Sequence, residues 1–236
     1  MTDLASFPPD GVAVVYGASG AIGRSLVEAL QAQPAFRRVI GFARRGDSPI
    51  DLIDEASLAR AAERAAEAGD IRLAIDATGF LHDATQAPEK TWRELDPVHL
   101  ARSFAMNATG PAMIMKHLLP RLPANGKSVF ATLSARVGSI GDNQLGGWYG
   151  YRASKAALNQ FVRTAAVELR RRRPEAICVA LHPGTVASGL SAPFAKSGLD
   201  VQSPSVAAGR LLAVVDGLAA ADSGGFFDHR GQAVPW

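Results

Sequence analysis

The fold is decided by one stretch near the start of the chain, Val12-Ala-Val-Val-Tyr-Gly-Ala-Ser-Gly-Ala-Ile-Gly-Arg24. Its apolar beginning predicts a buried parallel strand, and Ile22, Leu26 and Leu30 then recur at the spacing of one helix face. The first N–H groups of a helix lack partners within it and carry partial positive charge, and glycine lets an anion approach the backbone closely. Because the turn closes the first strand of a βαβ series, it favours a dinucleotide site over an ordinary tight turn.

Length and composition indicate a single domain over residues 1–236. Of the 236 residues, 47% are hydrophobic and 20% are charged, which is enough for one large α/β core. The net charge of +3 is small, and no basic run interleaves with aromatic residues, so we expect no nucleic-acid partner. No apolar run approaches the ~18 residues of a membrane span, and no signal-peptide pattern is present. With Cys178 alone inside an apolar run, we expect a cytoplasmic protein without a membrane partner.

Strands alternate with helices along the chain, which predicts a Rossmann-like, doubly wound parallel sheet of about seven strands with helices on both faces. Few residues separate the second strand, 38–43, from 48–52, which we count as a third strand. A second crossover helix therefore has almost no room and is expected to be short or absent. The remaining strands are predicted at 73–79, 128–134, 177–182 and 225–228, and the helices at 22–33, 55–68, 96–119, 149–172 and 205–218.

Five motifs occur in the order and at the spacing of one enzyme family. They are the glycine turn, Asp76-Ala-Thr-Gly79, Asn107, Tyr151-Arg-Ala-Ser-Lys155 and Pro183-Gly184. Together they resemble the short-chain dehydrogenases/reductases over essentially the whole chain. The segments 134–140 and 146–155 are similar to the branch that holds sniffer-type carbonyl reductases and C-factor-like signalling proteins. The resemblance implies hydride transfer between a nicotinamide cofactor and a small carbonyl or alcohol substrate.

Tyr151 and Lys155 are four residues apart on a predicted helix and therefore share one face. A nearby ammonium favours the phenolate, so we expect it to lower the phenol pKa from its usual ~10 and to suit Tyr151 for proton exchange with the substrate oxygen. The alternative is a tyrosine that packs beside a solvated lysine. The resemblance also assigns Lys155 to the nicotinamide ribose and gives Asn107 a helix irregularity and a water that relays protons to the lysine.

The serine position departs from the family pattern. Members usually read Ser-Ser-x-x-Gly, in which the second serine polarises the substrate carbonyl, whereas this chain has Ala135 at that place before Gly138. Ser134 comes one residue earlier and faces the other way in a regular strand, although a bend at the strand end brings its hydroxyl in. We take Ser134 as the fourth catalytic residue and Ser139 as the weaker alternative.

The second strand ends at Ala43 without the carboxylate that folds preferring NAD place there. Arg44 and Arg45 follow, and Arg24 stands just behind the glycine turn. Guanidinium groups match a 2′-phosphate, so we predict NADP(H) over NAD(H) with Arg44 as the main contact, against the alternative of solvated surface arginines. The turn and the resemblance give the other cofactor contacts as Gly17, Ser19, Gly20, Ala21, Ile22, Gly23, Asp51, Leu52, Ala77, Thr78, Gly79, Asn107, Tyr151, Lys155, Pro183, Gly184, Val186 and Ser188, with Thr185 as an alternative to Ser188.

Substrate contacts are expected from the loops at 141–148 and 188–204, where the family varies. The candidates are Asn143, Trp148, Leu190 and Phe194. His82 and His182 are interpreted as non-catalytic, and no metal site is predicted.

Two further expectations concern partners and function. Many members of the resembled family pair through the two long helices that correspond to 96–119 and 149–172, so the resemblance implies a homodimer or homotetramer. An alanine-rich face such as Ala153, Ala156 and Ala157 suits such pairing, although it also suits packing against the sheet. Ala135 and the resemblance motivate a second hypothesis, a dinucleotide-binding signalling or regulatory protein with little or no turnover.

Overall fold

The first strand, β1 (Gly11–Tyr16), is buried along its whole length and has parallel neighbours on both sides. The computed structural model describes residues 3–191 and 201–236. Their six-stranded sheet is entirely parallel, in the order β2-β1-β3-β4-β5-β8. The other strands are β2 (Phe36–Phe42), β3 (Ile71–Asp76), β4 (Ser128–Leu133), β5 (Ala176–His182) and β8 (Phe226–Asp228), and a separate pair consists of β6 (Thr185–Val186) and β7 (Val201–Gln202).

Helices cover both faces of the sheet because successive β1 side chains point to opposite cores. Val12, Val14 and Tyr16 pack with residues of the helices at 55–67, 110–118 and 149–172. Ala13 and Val15 pack with residues of the helices at 21–31 and 204–217. This two-sided burial explains why the strand is apolar at consecutive positions. The helices are α1 (Ala21–Gln31), α2 (Glu55–Glu67), α3 (Pro97–Phe104), α4 (Gly110–Leu118), α5 (Tyr149–Arg172) and α6 (Pro204–Gly217). The predicted doubly wound α/β fold is confirmed.

Two expectations about the sheet are wrong. Residues 48–52 form no strand, and only a single bridge joins Ala43 to Pro49. Pro49 has no N–H for a ladder, and the Asp51 side chain instead accepts a hydrogen bond from the Ile53 N–H in a local turn. The 13-residue α2 is therefore itself the second crossover helix, and the main sheet of the described chain has six strands rather than about seven.

The stretch from α3 to α4 contains the irregularity expected at Asn107. A π-helical turn over Ala105–Thr109 joins the two α-helices. Pro111 has no N–H to donate to the carbonyl of Asn107 four residues earlier, so the α-helical ladder cannot continue there. Such turns are frequent at functional sites. Among the described residues, no helix combines the length and the apolar character that a membrane span needs.

Candidate active site

A cavity of about 640 Å³ opens at the carboxyl ends of β4 and β5. Ile22 of the glycine turn, Ser134 at the β4 exit and Tyr151 of α5 all line it. The turn after β5 completes the wall with Pro183 and Gly184. Ligands of open parallel sheets bind at this edge, so the structure brings motifs distant in the sequence to one place.

The glycine turn is built from backbone that leaves no room for side chains. Gly17 has a positive φ of 81°, and a Cβ on it would lie 2.9 Å from the carbonyl carbon of Ala77. A Cβ on Gly23 would lie 2.1 Å from the carbonyl oxygen of Gly17. The N-cap of α1 is Gly20, no side chain caps this helix, and its first turn holds no acidic residue. Its first N–H groups therefore suit a phosphate, as the sequence predicts.

The arginines predicted to read a 2′-phosphate lie on the surface near this turn. Arg24, Arg44 and Arg45 are exposed, and none of their side chains forms a hydrogen bond or ion pair within the described chain. Asp51 is also exposed, whereas Leu52 is buried against Gly110 at the start of α4.

Tyr151 and Lys155 lie on one face of α5, as predicted. Lys155 is 2% exposed, its Nζ donates to the Leu133 carbonyl at 2.7 Å, and it lies 5.9 Å from the centre of the Tyr151 ring. Burial lowers the pKa of Lys155 to about 8, and the negative charge of Asp76 opposes that shift. Burial raises the pKa of Tyr151 to about 12. The expected lowering of the phenol pKa is therefore wrong for this structure, because loss of hydration outweighs the ammonium.

Asn107 connects the cofactor segment after β3 to the catalytic helix. Its Oδ1 accepts from the Phe80 N–H at 2.7 Å, and its Nδ2 donates to the Phe80 carbonyl at 2.7 Å and to Ser154 Oγ at 3.2 Å. A Cβ on Gly79 would lie 3.9 Å from Asn107 Oδ1 and 4.0 Å from Lys155 Nζ. The π-helical turn thus places Asn107 beside the lysine, and its role in a proton relay stays a prediction.

The hydroxyl of Ser134 already has a strong partner. It donates to Asn159 Oδ1 at 2.6 Å, and Ser134 is only 3% exposed. Asn159 lies one helical turn beyond Lys155 on the same face of α5, and the sequence analysis missed it. Ala135 also lines the cavity, and Ser139 Oγ accepts from the Asp142 N–H at 3.1 Å. A role for Ser134 in polarising a carbonyl stays a prediction.

Glu89, which the sequence analysis also missed, holds the start of α5. Its carboxylate accepts from the Gly150 N–H at 3.1 Å, and its backbone carbonyl accepts from the Trp148 N–H at 2.5 Å. Glu89 is 5% exposed. A carboxylate at a helix N-terminus is electrostatically favourable, so Glu89 fixes the first turn of α5 and with it Tyr151.

The loop predictions for the substrate are met in part. Trp148 and Leu190 line the cavity, but the Asn143 side chain caps the Gly146 N–H at 3.1 Å instead, and Phe194 lies outside the described residues. Asp142, Gln144 and Leu145 also line the cavity and belong to the predicted loop 141–148, whereas the sequence analysis missed Leu81, Arg136, Val137 and Arg152.

The turn that follows β5 forms another part of the cavity wall. Pro183, Gly184, Thr185, Val186 and Ser188 all line the cavity, as predicted for this segment.

His182, interpreted as a core residue, is half-buried and also lines the cavity. Burial is the main cause that lowers its pKa to about 4, so it is neutral at pH 7. No group of three or more His, Cys, Asp or Glu side chains within 3–191 and 201–236 is placed to hold a metal ion.

Known proteins share this sequence and architecture. A family model described as enoyl-(acyl carrier protein) reductase matches residues 11–216. C-signal of Myxococcus xanthus is 40% identical over 144 residues, which are 61% of this chain and 82% of that protein. The NADPH-bound carbonyl reductase from chicken fatty liver has a TM-score of 0.85 at 23% identity, covering 97% of this chain and 95% of that one. Carbonyl reductase Sniffer of D. melanogaster has a TM-score of 0.83 at 21% identity, covering 97% and 100%. Because the family model spans most of its length, the chain belongs to the short-chain dehydrogenase/reductase family of oxidoreductases.

Proposed function

We propose that the protein is an NADPH-dependent reductase of small aldehydes or ketones, with Tyr151 as the proton donor. The observation that supports this most is the position of Tyr151 and Lys155 on one helix face, with Tyr151 lining a cavity that Ile22 at the start of α1 also lines. The turn suits the diphosphate of a dinucleotide because the first N–H groups of α1 have no side-chain cap and no acidic residue in the first helical turn.

Each group has a defined task in the proposed reaction. The N–H groups at the start of α1 hold the cofactor's diphosphate, and Lys155 binds the ribose. The bound cofactor supplies a hydride to the carbonyl carbon. Tyr151 gives its phenolic proton to the carbonyl oxygen, so the product is an alcohol and the phenolate that remains is reprotonated from solvent. Lys155 and a water at Asn107 carry that proton.

The pKa values favour reduction over oxidation near neutral pH. With a pKa of about 12, Tyr151 is a neutral phenol and holds the proton that reduction consumes. Alcohol oxidation needs the phenolate, so its rate should rise with pH. Lys155, with a pKa of about 8, is still mainly charged at pH 7.

NADP(H) is proposed over NAD(H) because three exposed arginines follow the two segments expected to hold the adenosine end, the glycine turn and the end of β2. Arg24, Arg44 and Arg45 have no counterion within the described chain, and Arg44 follows β2 directly. An anionic 2′-phosphate matches these groups well.

The test is oxidation of NADPH, followed at 340 nm, with a panel of aldehydes and diketones. Tyr151→Phe should lower kcat by roughly 10²- to 10⁴-fold, because it removes the general acid. Tyr149→Phe is the matched control, since Tyr149 begins the same helix two residues earlier. Full activity in Tyr151→Phe would rule out the proposed proton donor.

The second candidate is a dinucleotide-binding regulatory protein. It is favoured by the absence of a serine at position 135 and by the bond that ties Ser134 to Asn159. Tight NADPH binding without turnover of any carbonyl in the panel would support this alternative.

Self-association through α5 and cytoplasmic location stay predictions of the sequence. Phe161 and Val167 on α5 are 43% and 49% exposed, which suits a covered face. Light scattering of Phe161→Glu against the unchanged protein should show a smaller particle if a homodimer or homotetramer forms there.

A further inference from the structure

Arg152 places a guanidinium at the cavity wall, directly after Tyr151 on α5. Among residues 3–191 and 201–236, its side chain donates only to backbone carbonyls of the preceding segment: to Val137 at 3.2 Å, to Gly146 at 3.1 and 3.2 Å and to Gly147 at 2.9 Å. These bonds use the Nε hydrogen and one hydrogen on each terminal nitrogen of the guanidinium. Two of its five N–H groups therefore have no acceptor among these carbonyls.

The charge of Arg152 has no counterion within the described chain. Its side chain is half-buried, and this burial lowers the pKa of the guanidinium. A cation that is partly removed from water is normally paired with an anion. Backbone carbonyls can accept its hydrogen bonds, but they do not cancel its positive charge.

Arg136 lines the same cavity but is neutralised by the protein. Its terminal nitrogens lie 3.4 Å from Asp142 Oδ2 and 3.4 Å from Asp228 Oδ2. His182 is neutral at pH 7. Among the described guanidinium groups that line the cavity, Arg152 is therefore the one without a carboxylate partner.

We propose that Arg152 selects carbonyl substrates that carry a carboxylate, which its two remaining N–H groups bind. The inference rests on the proposed reductase function, because it names the substrate class of the same site. A planar guanidinium suits a carboxylate geometrically as well as by charge. The apolar lining at Leu81, Val137 and Leu145 fits the body of such a substrate, so its class is an oxo or formyl acid with an apolar centre.

The test compares 4-carboxybenzaldehyde with its uncharged methyl ester, methyl 4-formylbenzoate, at saturating NADPH. We expect the unchanged protein to have about a tenfold or greater preference in kcat/KM for the acid, since a hydrogen bond to a charged group is lost with the ester. Arg152→Gln keeps donors for the loop carbonyls but removes the charge, and should abolish this preference. Arg171→Met is the matched control, because it removes one exposed charge from the far end of α5 and should keep the preference.

Three outcomes overturn the inference: equal use of acid and ester, loss of the preference in Arg171→Met, or an equal loss for both substrates in Arg152→Gln. The last result would assign Arg152 to loop support alone.

If the unchanged protein reduces neither aldehyde, the proposed function fails and calorimetric binding decides the inference instead. With NADP present, 4-methylbenzoate should bind about tenfold more tightly to the unchanged protein than to Arg152→Gln. Equal affinities would reject an anion site.

Discussion

The nucleotide side and the substrate side of the cavity are built in different ways. The nucleotide side is backbone, in which Gly17 and Gly23 approach so closely that a single added carbon collides. The substrate side is made of side chains held by distant partners, such as Ser134 by Asn159 and Arg136 by Asp228. The nucleotide side therefore restricts the residue type at Gly17 and Gly23, whereas a site made of side chains can change its chemistry while the fold is kept.

The largest expected effect follows from adding one carbon to the nucleotide side. In Gly23→Ala the new Cβ would meet the Gly17 carbonyl oxygen at 2.1 Å, and both neighbours are backbone that cannot rotate away. Overpacking of this kind costs about 3 kcal/mol, so NADPH affinity should fall by roughly a hundredfold. Isothermal titration with NADPH measures the loss.

Gly209→Ala in α6 is the matched control, because a Cβ there meets nothing within 4 Å. It should bind NADPH normally and unfold at a slightly higher temperature. Normal NADPH binding by Gly23→Ala would show that the turn is not the diphosphate site.

The next prediction concerns kcat and asks whether the substrate side lacks a hydrogen-bond donor for the substrate's carbonyl oxygen. Ala135→Ser restores a hydroxyl at the family's usual place, and kcat should rise by up to about 10²-fold, the usual contribution of one such donor. Ser134→Ala should leave kcat nearly unchanged but cost about 1–3 kcal/mol of unfolding free energy, because Asn159 loses its buried partner. Steady-state kinetics and chemical denaturation separate the two effects.

The opposite pattern would restore the sequence-based assignment. If Ser134→Ala lowers kcat by about 10²-fold and Ala135→Ser has no effect, Ser134 leaves Asn159 and polarises the carbonyl itself.

The same division explains what could be predicted from the sequence. The predicted bounds of α5, 149–172, agree with Tyr149–Arg172, and the glycine turn forms as expected, because both depend on periodicity and on local backbone. The segment 48–52 was assigned wrongly because its apolar residues suggest a strand, although Pro49 and the Asp51 turn prevent one.

The substrate side could not be derived in the same way. Asn159 and Glu89 act on Ser134 and Gly150 through contacts 25 and 61 residues apart in the sequence. The direction of the Tyr151 pKa shift depends on enclosure by the folded chain, which a spacing of four residues does not reveal. Arg152 offered a signal, because it is a cation next in sequence to the tyrosine proposed as the proton donor.

A smaller effect on the use of NADPH is expected from Arg44, a side chain at the edge of the nucleotide side. Arg44→Ala should lower kcat/KM for NADPH by about tenfold and leave that for NADH unchanged, since one charge-assisted contact to the 2′-phosphate is lost. Arg60→Ala is the control, because Arg60 is exposed on α2 and pairs only with Asp54 at 3.8 Å. A parallel loss with both cofactors would assign Arg44 a role other than reading the phosphate.

The smallest effect is on stability and concerns Lys155, which lies between the nucleotide side and the substrate side. Its pKa is about 8 in the folded protein, below the usual 10.5, so between these values the unfolded chain binds a proton that the folded chain lacks. Raising the pH therefore stabilises the folded state, by about 1 kcal/mol between pH 8 and 9. Burial raises the pKa of Tyr151 and Cys178 to about 12, which acts in the opposite direction at higher pH.

A comparison of denaturation curves with Lys155→Met cancels those opposing contributions, because the variant keeps both groups. The unchanged protein should gain stability relative to Lys155→Met as the pH rises from 8 to 9, and Lys90→Met, at an exposed lysine, should follow the unchanged protein. A constant difference between the two curves would mean that Lys155 keeps its proton through this range. In that case the attraction of the buried Asp76 carboxylate would outweigh the loss of hydration and keep Lys155 protonated. The charge of Lys155 would then be stabilised by a residue at the end of β3, on the nucleotide side of the cavity.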